Sequence, residues 1–338
     1  MVKLGLREYK LNHTSEKRKR MNLHHNPSQE NWTGRNAMQP EYWHQVVRVS
    51  PNLAFDTTSN QKVGILGYTG EEGVKRNQGR LGTLAGPASI RRCLGSLAHH
   101  LPVGLPLFDY GDLFTQECDL ESTHQAITDL TYQLLKSNHF PVWLGGGHDL
   151  AFAHGSAVLK YSQEQGKKLG IINLDAHFDL RPLVAGKGHS GSPFYQLASN
   201  HPNEFHYLAL GIQRAANPKS LFGTADQVQA KYLVMEDFRL QHWEYMEEQI
   251  SWFLDRVDAI YLTVDMDGFS SAFAPGVSAP SPMGFDPEVA FKVFDLIAKS
   301  KKLISLDVVE LNPTYDQDQA TARLAARCVE YVLRKNFG

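Results

Sequence analysis

The sequence predicts an α/β protein built around a parallel β-sheet, and two observations carry this prediction. Short runs of β-branched or aliphatic residues alternate with helical patterns, which is typical of successive βαβ units. Several of these runs are apolar on both faces, as expected of strands that helices cover on both sides. No Gly/Ser linker, repeat or change of composition divides the chain, so we expect one continuous domain over residues 21–338.

The apolar runs predict eight strands. In chain order they are Val63–Tyr68, Leu105–Asp109, Val142–Leu144, Leu169–Leu174, Tyr207–Gly211, Tyr232–Met235, Ala259–Val264 and Leu303–Val308.

Helices are predicted where apolar residues recur at intervals of three and four positions. One such stretch begins at Gly86-Pro87, a second covers 124–138, a third begins at Asp286-Pro287, and the last covers about 319–335. Proline suits the first helical turn, and an aspartate directly before it is a common N-cap.

The composition excludes several classes of protein. The 338 residues include 34 Lys or Arg and 36 Asp or Glu, and the resulting net charge of −2 argues against a nucleic-acid-binding surface. The three cysteines, Cys93, Cys118 and Cys328, are widely spaced and form no CxxC motif, which fits a reducing compartment. No apolar run approaches the ~18 residues of a membrane-spanning helix. We therefore expect a cytoplasmic protein that binds neither nucleic acid nor a membrane.

The first twenty residues are basic and lack the apolar core of a secretory signal. The cluster KRKR at 17–20 is open to two interpretations, a nucleic-acid or localisation patch and a solvated tail. We expect a mobile N-terminal extension over residues 1–20, with Met21 as the natural start.

Polar residues of the kinds that bind metals follow four of the predicted strands directly. The first three clusters are GGGHD (145–149), DAHFDLR (175–181) and DMD (265–267), and the fourth strand runs through DVV (307–309) into ELNP (310–313). In open parallel sheets, ligands bind in the crevice outside the carboxyl ends of the strands. The four clusters therefore predict a single site at one edge of the sheet.

The spacing of Asp175 and Asp179 adds a constraint on the local structure. Positions four apart in an extended strand lie ~13 Å from each other, too far for two short side chains to share one ion. If both are ligands, the strand must end near Asp175 and the chain must turn. Pro182 and the glycines from Gly186 onward predict such a loop.

The number of donors indicates two metal ions rather than one. Six residues of these clusters supply four carboxylates and two imidazoles, which are too many for one four-coordinate zinc. Four carboxylate charges would balance two divalent ions, and an oxygen-rich set with some imidazole suits Mn²⁺. The candidate ligands are His148, Asp175, His177, Asp179, Asp265 and Asp267.

At these residues the chain resembles the ureohydrolase family, which includes arginase and agmatinase. The four matching motifs are GGGHD, DAHFDLR, TVDMDGF (263–269) and SLDVVELNP (305–313), and GRLGTLAGPASIR (79–91) resembles a further element of the family. The resemblance covers roughly residues 63–336. It implies a three-layer α/β/α sandwich around an eight-stranded, mainly parallel sheet, in agreement with the eight apolar runs.

Five further motifs resemble the formimidoylglutamase subgroup of that family. They are WTGR (32–35), NQGR (77–80), HSGSPF (189–194), GIQR (211–214) and APGVSAP (274–280). This resemblance implies hydrolysis of N-formimidoyl-L-glutamate to L-glutamate and formamide in histidine degradation, by a hydroxide that bridges two Mn²⁺ ions per subunit. It also implies a homo-oligomer.

Three other functions stay open at this point. An agmatinase or guanidino-acid hydrolase would use the same metal ligands and release urea. A non-catalytic relative would have lost a ligand or Glu310, and a related single-zinc deacylase needs fewer than six ligands.

The resemblance also implies roles for individual residues. His148, Asp175, Asp179 and Asp265 would hold one ion, while Asp175, His177, Asp265 and Asp267 would hold the other, so that Asp175 and Asp265 bridge. Glu310 would face the amidine group. Asp179 or His189 would relay a proton to the leaving nitrogen, and Arg80, Arg181 and Arg214 are the candidates for the substrate carboxylates.

The chain departs from the family pattern at two positions. Ser270 replaces an aspartate that usually follows the second ligand pair. Ser190 aligns with the arginase histidine that shuttles protons, and His189 stands one residue earlier.

Overall fold

A ten-stranded sheet forms the centre of the described chain, which comprises residues 23–53, 55 and 60–338 of the computed structural model. The strands are β1 (His24–His25), β2 (Arg48–Val49), β3 (Lys62–Thr69), β4 (Leu107–Phe114), β5 (His139–Leu144), β6 (Leu169–Leu174), β7 (Tyr207–Ile212), β8 (Lys231–Val234), β9 (Ala259–Asp265) and β10 (Leu303–Val309). Their order is β1-β4-β3-β5-β10-β9-β6-β7-β8, and β2 pairs with β4 outside this path. β1 runs antiparallel to β4, and the other pairs are parallel.

All eight predicted strands are present, but the predicted count is two too low. β1 and β2 have two residues each and leave no pattern in the sequence that marks a strand. The predicted strand Leu105–Asp109 is also too short, because β4 continues to Phe114 through Gly111, whose φ is +87°.

Helices cover both faces of the sheet. They are α1 (Trp43–Val46), α2 (Glu72–Arg76), α3 (Gly86–Gly95), α4 (Leu120–Lys136), α5 (Leu150–Glu164), α6 (Pro193–Asn200), α7 (Lys219–Gln227), α8 (Trp243–Leu254), α9 (Pro287–Lys299) and α10 (Ala320–Phe337). Short 3₁₀ helices occur at Gln29–Asn31, Thr83–Ala85, Leu240–His242 and Met266–Gly268. The four predicted helices correspond to α3, α4, α9 and α10.

The strands alternate between two apolar cores, which gives the predicted three layers. In β9, Ile260 and Leu262 belong to a core cluster that includes residues of α1, α3, α8, α9 and α10, while Ala259 and Tyr261 belong to a second cluster that includes residues of α5, α6 and α7. A third cluster joins α4 and α5 to β3 and β5. Because successive side chains of a strand point to opposite faces, both faces of these strands are buried.

Three expectations concern the chain as a whole. None of the helices within the described ranges is long and apolar enough to cross a membrane. Cys93, Cys118 and Cys328 are free thiols. The predicted N-terminal extension lies outside the described residues.

The strands that carry the polar clusters are neighbours, and their carboxyl ends are level. Leu144 of β5 pairs with Val308 of β10, and Val309 pairs with Asp265 of β9. Val264 in turn pairs with Leu174 at the end of β6. The sheet therefore delivers all four clusters to one stretch of its edge.

Candidate metal centre

One histidine ring lies at the centre of three carboxylates. Nδ1 of His148, in the loop between β5 and α5, is 3.2 Å from Asp175 Oδ2, 2.9 Å from Asp179 Oδ2 and 3.0 Å from Asp265 Oδ2. All four side chains are buried. Their ligand atoms lie within 4.8 Å of one another, close enough for a single ion.

A second group of donors adjoins the first through Asp175. His177 Nδ1 lies 3.4 Å from Asp175 Oδ1 and 3.2 Å from Asp267 Oδ2. Ligand atoms of these three residues again lie within 4.8 Å of one another. Asp175 thus belongs to both groups, while Asp265 belongs to the first, and its bridging role stays a prediction.

Tight turns bring these side chains together. β6 ends at Leu174, directly before Asp175, and Asp179 has a φ of +50°, so the chain turns where the spacing of the two aspartates requires it. Asp175 Oδ1 accepts a hydrogen bond from the His177 amide at 2.7 Å, and Asp265 Oδ1 accepts one from the Asp267 amide at 2.8 Å. Both D-x-H and D-x-D are therefore Asx-type turns that direct two side chains to one place.

The electrostatics of the six side chains favour a bound cation. Burial raises the pKa of Asp265, and repulsion from Asp267 and Asp175 raises it further. Burial and repulsion from Asp175 also raise the pKa of Asp179, to about 6. Burial opposes ionisation of Asp175, but the adjacent imidazoles of His148 and His177 hold its pKa below the usual range. Closely packed carboxylates of this kind repel one another unless positive charge compensates them.

Two buried atoms of the cluster have no hydrogen-bond partner among the residues that the structure describes, namely Nδ1 of His148 and Oδ1 of Asp267. Both belong to the proposed ligand set, and a buried polar atom normally has a partner. Four carboxylates with two imidazoles suit a divalent ion such as Mn²⁺. The residues present therefore fit the two ions that the sequence predicts.

Two polar residues that are not among the predicted site residues orient the ligands. His148 Nε2 lies 3.0 Å from the Thr263 hydroxyl, and with its proton there the ring leaves the Nδ1 lone pair for a metal. Asn173 Nδ2 donates to Asp175 Oδ2 at 3.0 Å. Asn173 in β6 and Thr263 in β9 are both buried and are partners in the sheet register. Asn173 stands two residues before Asp175, and Thr263 stands two residues before Asp265. A polar residue two positions before a ligand, inside an apolar strand, was the signal available.

Glu310 lies beside the first group. It follows β10 with a φ of +65°, and its Oε1 accepts the backbone N–H of His148 at 2.7 Å. Burial raises its pKa to about 8, with further contributions from Asp267 and Asp149. A buried carboxyl of this kind is a suitable partner for a cationic group.

His189 is near the site but does not join the ligand groups. Its Nε2 donates to the Pro182 carbonyl at 3.1 Å, and its Nδ1 accepts the Gly191 N–H at 3.2 Å. Burial lowers its pKa. Both ring nitrogens are thus occupied, and a proton relay through His189 would require the ring to leave a partner. Its catalytic role stays a prediction.

The three candidate arginines differ in how they are held. Arg80 donates to the carbonyls of Ser278 at 2.8 Å and Val277 at 2.5 Å, and it lies over the Tyr315 ring. Arg214 is exposed and lies 3.8 Å from Glu236. Arg181 is exposed, and no described residue forms a hydrogen bond or ion pair with its guanidinium.

Other polar residues of the motifs serve the surrounding structure. Asp149 accepts from Tyr68 at 2.7 Å and lies 3.1 Å from His124, and Asp307 lies 2.6 Å from His154. The Ser270 hydroxyl, at the first departure from the family pattern, donates to the Pro282 carbonyl at 3.2 Å.

The chain is similar to known proteins over most of its length. A model of the arginase family matches residues 61–334. Formimidoylglutamase from Chromobacterium violaceum is 40% identical over 303 residues, which cover 88% of this chain and 94% of that protein.

Two solved structures have similar folds. The crystal structure of formimidoylglutamase from Bacillus subtilis has a TM-score of 0.77 at 21% identity, covering 90% of this chain and 94% of that one. The structure of Trypanosoma cruzi formiminoglutamase with Mn²⁺ has a TM-score of 0.73 at 26% identity, covering 84% and 97%.

Proposed function

The chain belongs to the arginase family, and from this premise we propose that it hydrolyses N-formimidoyl-L-glutamate to L-glutamate and formamide. It is a binuclear manganese hydrolase that acts on C–N bonds of linear amidines. The observation that carries the proposal is the pair of buried donor groups that share Asp175, in a chain that is 40% identical to a formimidoylglutamase.

The two donor groups support an assignment of the ligands. His148, Asp175, Asp179 and Asp265 would hold one Mn²⁺, and Asp175, His177 and Asp267 would hold the other, with Asp265 as a further candidate ligand of the second ion. When bound, the two ions supply a water that is activated as a nucleophile at neutral pH.

Glu310 orients the substrate beside the ligands. A formimino group is a cation at neutral pH, and Glu310 is a buried carboxyl that adjoins His148 and has no cationic side chain bound to it among the described residues. Charge-assisted hydrogen bonds from the amidinium to Glu310 would hold the reacting carbon next to the metal ligands.

The leaving nitrogen of glutamate must receive a proton as the C–N bond breaks. Asp179 is better placed than His189 for this transfer, since its carboxylate lies within the first donor group while both His189 ring nitrogens are bonded to backbone. Arg181 has the guanidinium best able to receive a substrate carboxylate, because Arg80 is bound to backbone carbonyls and Arg214 has Glu236 beside it.

We also propose a single catalytic domain over residues 21–338 that assembles as a homo-oligomer in the cytoplasm. The continuous sheet supports the single domain, and the three free thiols support a reducing compartment such as the cytoplasm.

The deciding experiment compares products. Protein reconstituted with Mn²⁺ is given N-formimidoyl-L-glutamate, agmatine, arginine and a guanidino acid, and formamide and urea are measured separately. We expect formamide from the first substrate and no urea from the others. Urea from a guanidine substrate, without formamide, would instead identify a guanidine hydrolase.

A further inference from the structure

The loop that follows the ligand Asp179 contains hydrogen-bond donors that the metal chemistry does not use. Arg181 lies two residues past Asp179, and its backbone N–H donates to Gly191 O at 2.9 Å. This bond ties the start of the loop to the segment 189–191. The exposed guanidinium of Arg181 is left without a partner among the described residues.

Gly191 brings a second donor next to Arg181. A Cβ placed on Gly191 would lie 3.0 Å from Arg181 Cδ and 3.1 Å from Asn77 Nδ2. Both side chains therefore lie against the same glycine, although Asn77 is more than a hundred positions away in sequence. We call Asn77, Arg181 and Ser190 the Arg181 cluster.

The third member of the cluster, Ser190, is held so that it can donate. Its Oγ accepts a hydrogen bond from Asn77 Nδ2 at 3.1 Å, and its backbone N–H donates to Gly73 O at 3.0 Å. Since the oxygen is already accepting, the hydroxyl proton is available to another group, and no described residue accepts it. The second N–H of Asn77 is available in the same way.

No acidic side chain neutralises the cluster within the described chain. Arg76, next to Asn77, is itself paired with Glu72 at 3.1 Å and with Glu121 at 2.7 Å. A guanidinium fork, an amide N–H and a hydroxyl, all without an acceptor, are a complementary set for a carboxylate.

We propose that Asn77 and Ser190 join Arg181 in binding one carboxylate of the substrate, and that they make the site specific for a dicarboxylic amidine. The inference rests on the proposed function, whose substrate has two carboxylates. Asn77 and Ser190 are specificity residues here.

Binding of the product L-glutamate to the manganese-loaded protein tests the cluster without turnover. Asn77→Leu and Ser190→Ala are expected to raise the Kd by about 10-fold each, because each removes a hydrogen bond to a charged group. Asn77→Asp, which keeps the shape but adds a negative charge, is expected to raise it by about 100-fold. Asn203→Asp makes the same change at an exposed position and should leave the Kd unchanged.

Turnover distinguishes substrate contact from a structural role. The variants should raise KM for N-formimidoyl-L-glutamate with little change in kcat. N-formimidoyl-4-aminobutyrate and N-formimidoyl-L-2-aminobutyrate each lack one of the two carboxylates. The rise in KM should disappear for the analogue that lacks the carboxylate bound by the Arg181 cluster. If an Asn77 variant loses manganese or unfolds, Ser190→Ala alone tests whether the cluster contacts the substrate.

An equal rise in KM for all three substrates, or an unchanged Kd for L-glutamate in every variant, would overturn the inference. Failure of the proposed function has a different signature, since the wild-type protein would then release no formamide at all.

Discussion

The proton on His148 decides whether this ring can bind a metal through Nδ1. Nε2 lies 3.0 Å from the Thr263 hydroxyl on strand β9. A hydrogen bond from Nε2–H fixes both the tautomer and the ring plane, and such outer partners typically contribute 10- to 100-fold in metal affinity. Thr263 is therefore as relevant to the site as some of the ligands.

Thr263→Val tests this at the level of one hydroxyl group. Valine keeps the shape and the β-branching, so the strand should remain intact. We expect Mn²⁺ affinity to fall by about 10-fold, measured by calorimetric titration of metal-free protein. Thr224→Val, in α7 on the protein surface, is the matched control. Unchanged affinity in Thr263→Val would mean that packing alone orients the His148 ring.

The sequence predicts the identities of the donors better than their conformations. Histidines and aspartates directly after apolar runs form a pattern in the sequence itself. The left-handed backbone of Asp179 and Glu310, with φ of +50° and +65°, is not, because neither residue type requires it. These two conformations depend on hydrogen bonds to distant segments, such as Glu310 N–H to Gly146 O at 2.9 Å.

Between elements, a buried ion pair connects α3 to β4. Arg91 is buried and donates to Asp109 at 2.9 Å and to Asp112 at 2.6 Å. The Trp32 indole donates to the other oxygen of Asp109 at 2.7 Å. Residues of the family-like motifs WTGR and GPASIR thus hold a strand near the sheet edge, away from the metal ligands.

Removing the Arg91 guanidinium should lower the free energy of unfolding by far more than the intact ion pair contributes to it. Arg91→Met leaves two aspartates without a counter-charge, one of them fully buried, and we expect a loss of about 3–5 kcal/mol in the free energy of unfolding. Urea titration followed by circular dichroism measures it. Arg92→Met, on the exposed side of the same helix turn, should change stability by less than about 0.5 kcal/mol. Similar losses in both variants would argue that Arg91 acts through helix propensity alone.

The same strand shows why element boundaries were harder to predict than elements. The predicted end at Asp109 overlooks a bulge, where the register between β3 and β4 shifts and Gly111 adopts a φ of +87°. A side chain on Gly111 would meet His25 O at 2.2 Å, so the glycine allows β1 to approach closely. That contact joins residues 86 positions apart and leaves no local pattern.

Across the whole molecule, strand order is what assembles the site. The sequence predicts a parallel sheet with polar clusters at one edge, but it does not predict that β5 and β10 are neighbours. The order β5-β10-β9-β6 places residues 144 and 308 side by side and brings Glu310 to the backbone of His148. Such long-range pairings depend on the global packing of helices on both faces rather than on any local segment.

The concentration of four aspartates at this edge has a consequence for the stability of the whole fold. Burial and repulsion from Asp267 and Asp175 raise the pKa of Asp265, so the metal-free protein loses stability as the pH rises above the ordinary pKa of an aspartate, and this loss is complete above the raised pKa. Asp265→Asn removes one charge, while its side-chain oxygen can still accept the Asp267 amide. At pH 8 the metal-free variant should therefore be more stable than the metal-free wild type.

Manganese should reverse this order. An ion at 100 times its Kd stabilises a folded protein by about 2.7 kcal/mol per site, and Asp265→Asn weakens that binding. Thermal unfolding at pH 8, with a chelator and then with excess Mn²⁺, should give the variant the higher Tm without metal and the wild type the higher Tm with it. Asp226→Asn, at an exposed position in α7, should alter neither value. A variant that is less stable than the wild type under both conditions would show that Asp265 supports the fold by its hydrogen bond, and that charge repulsion at the sheet edge is small.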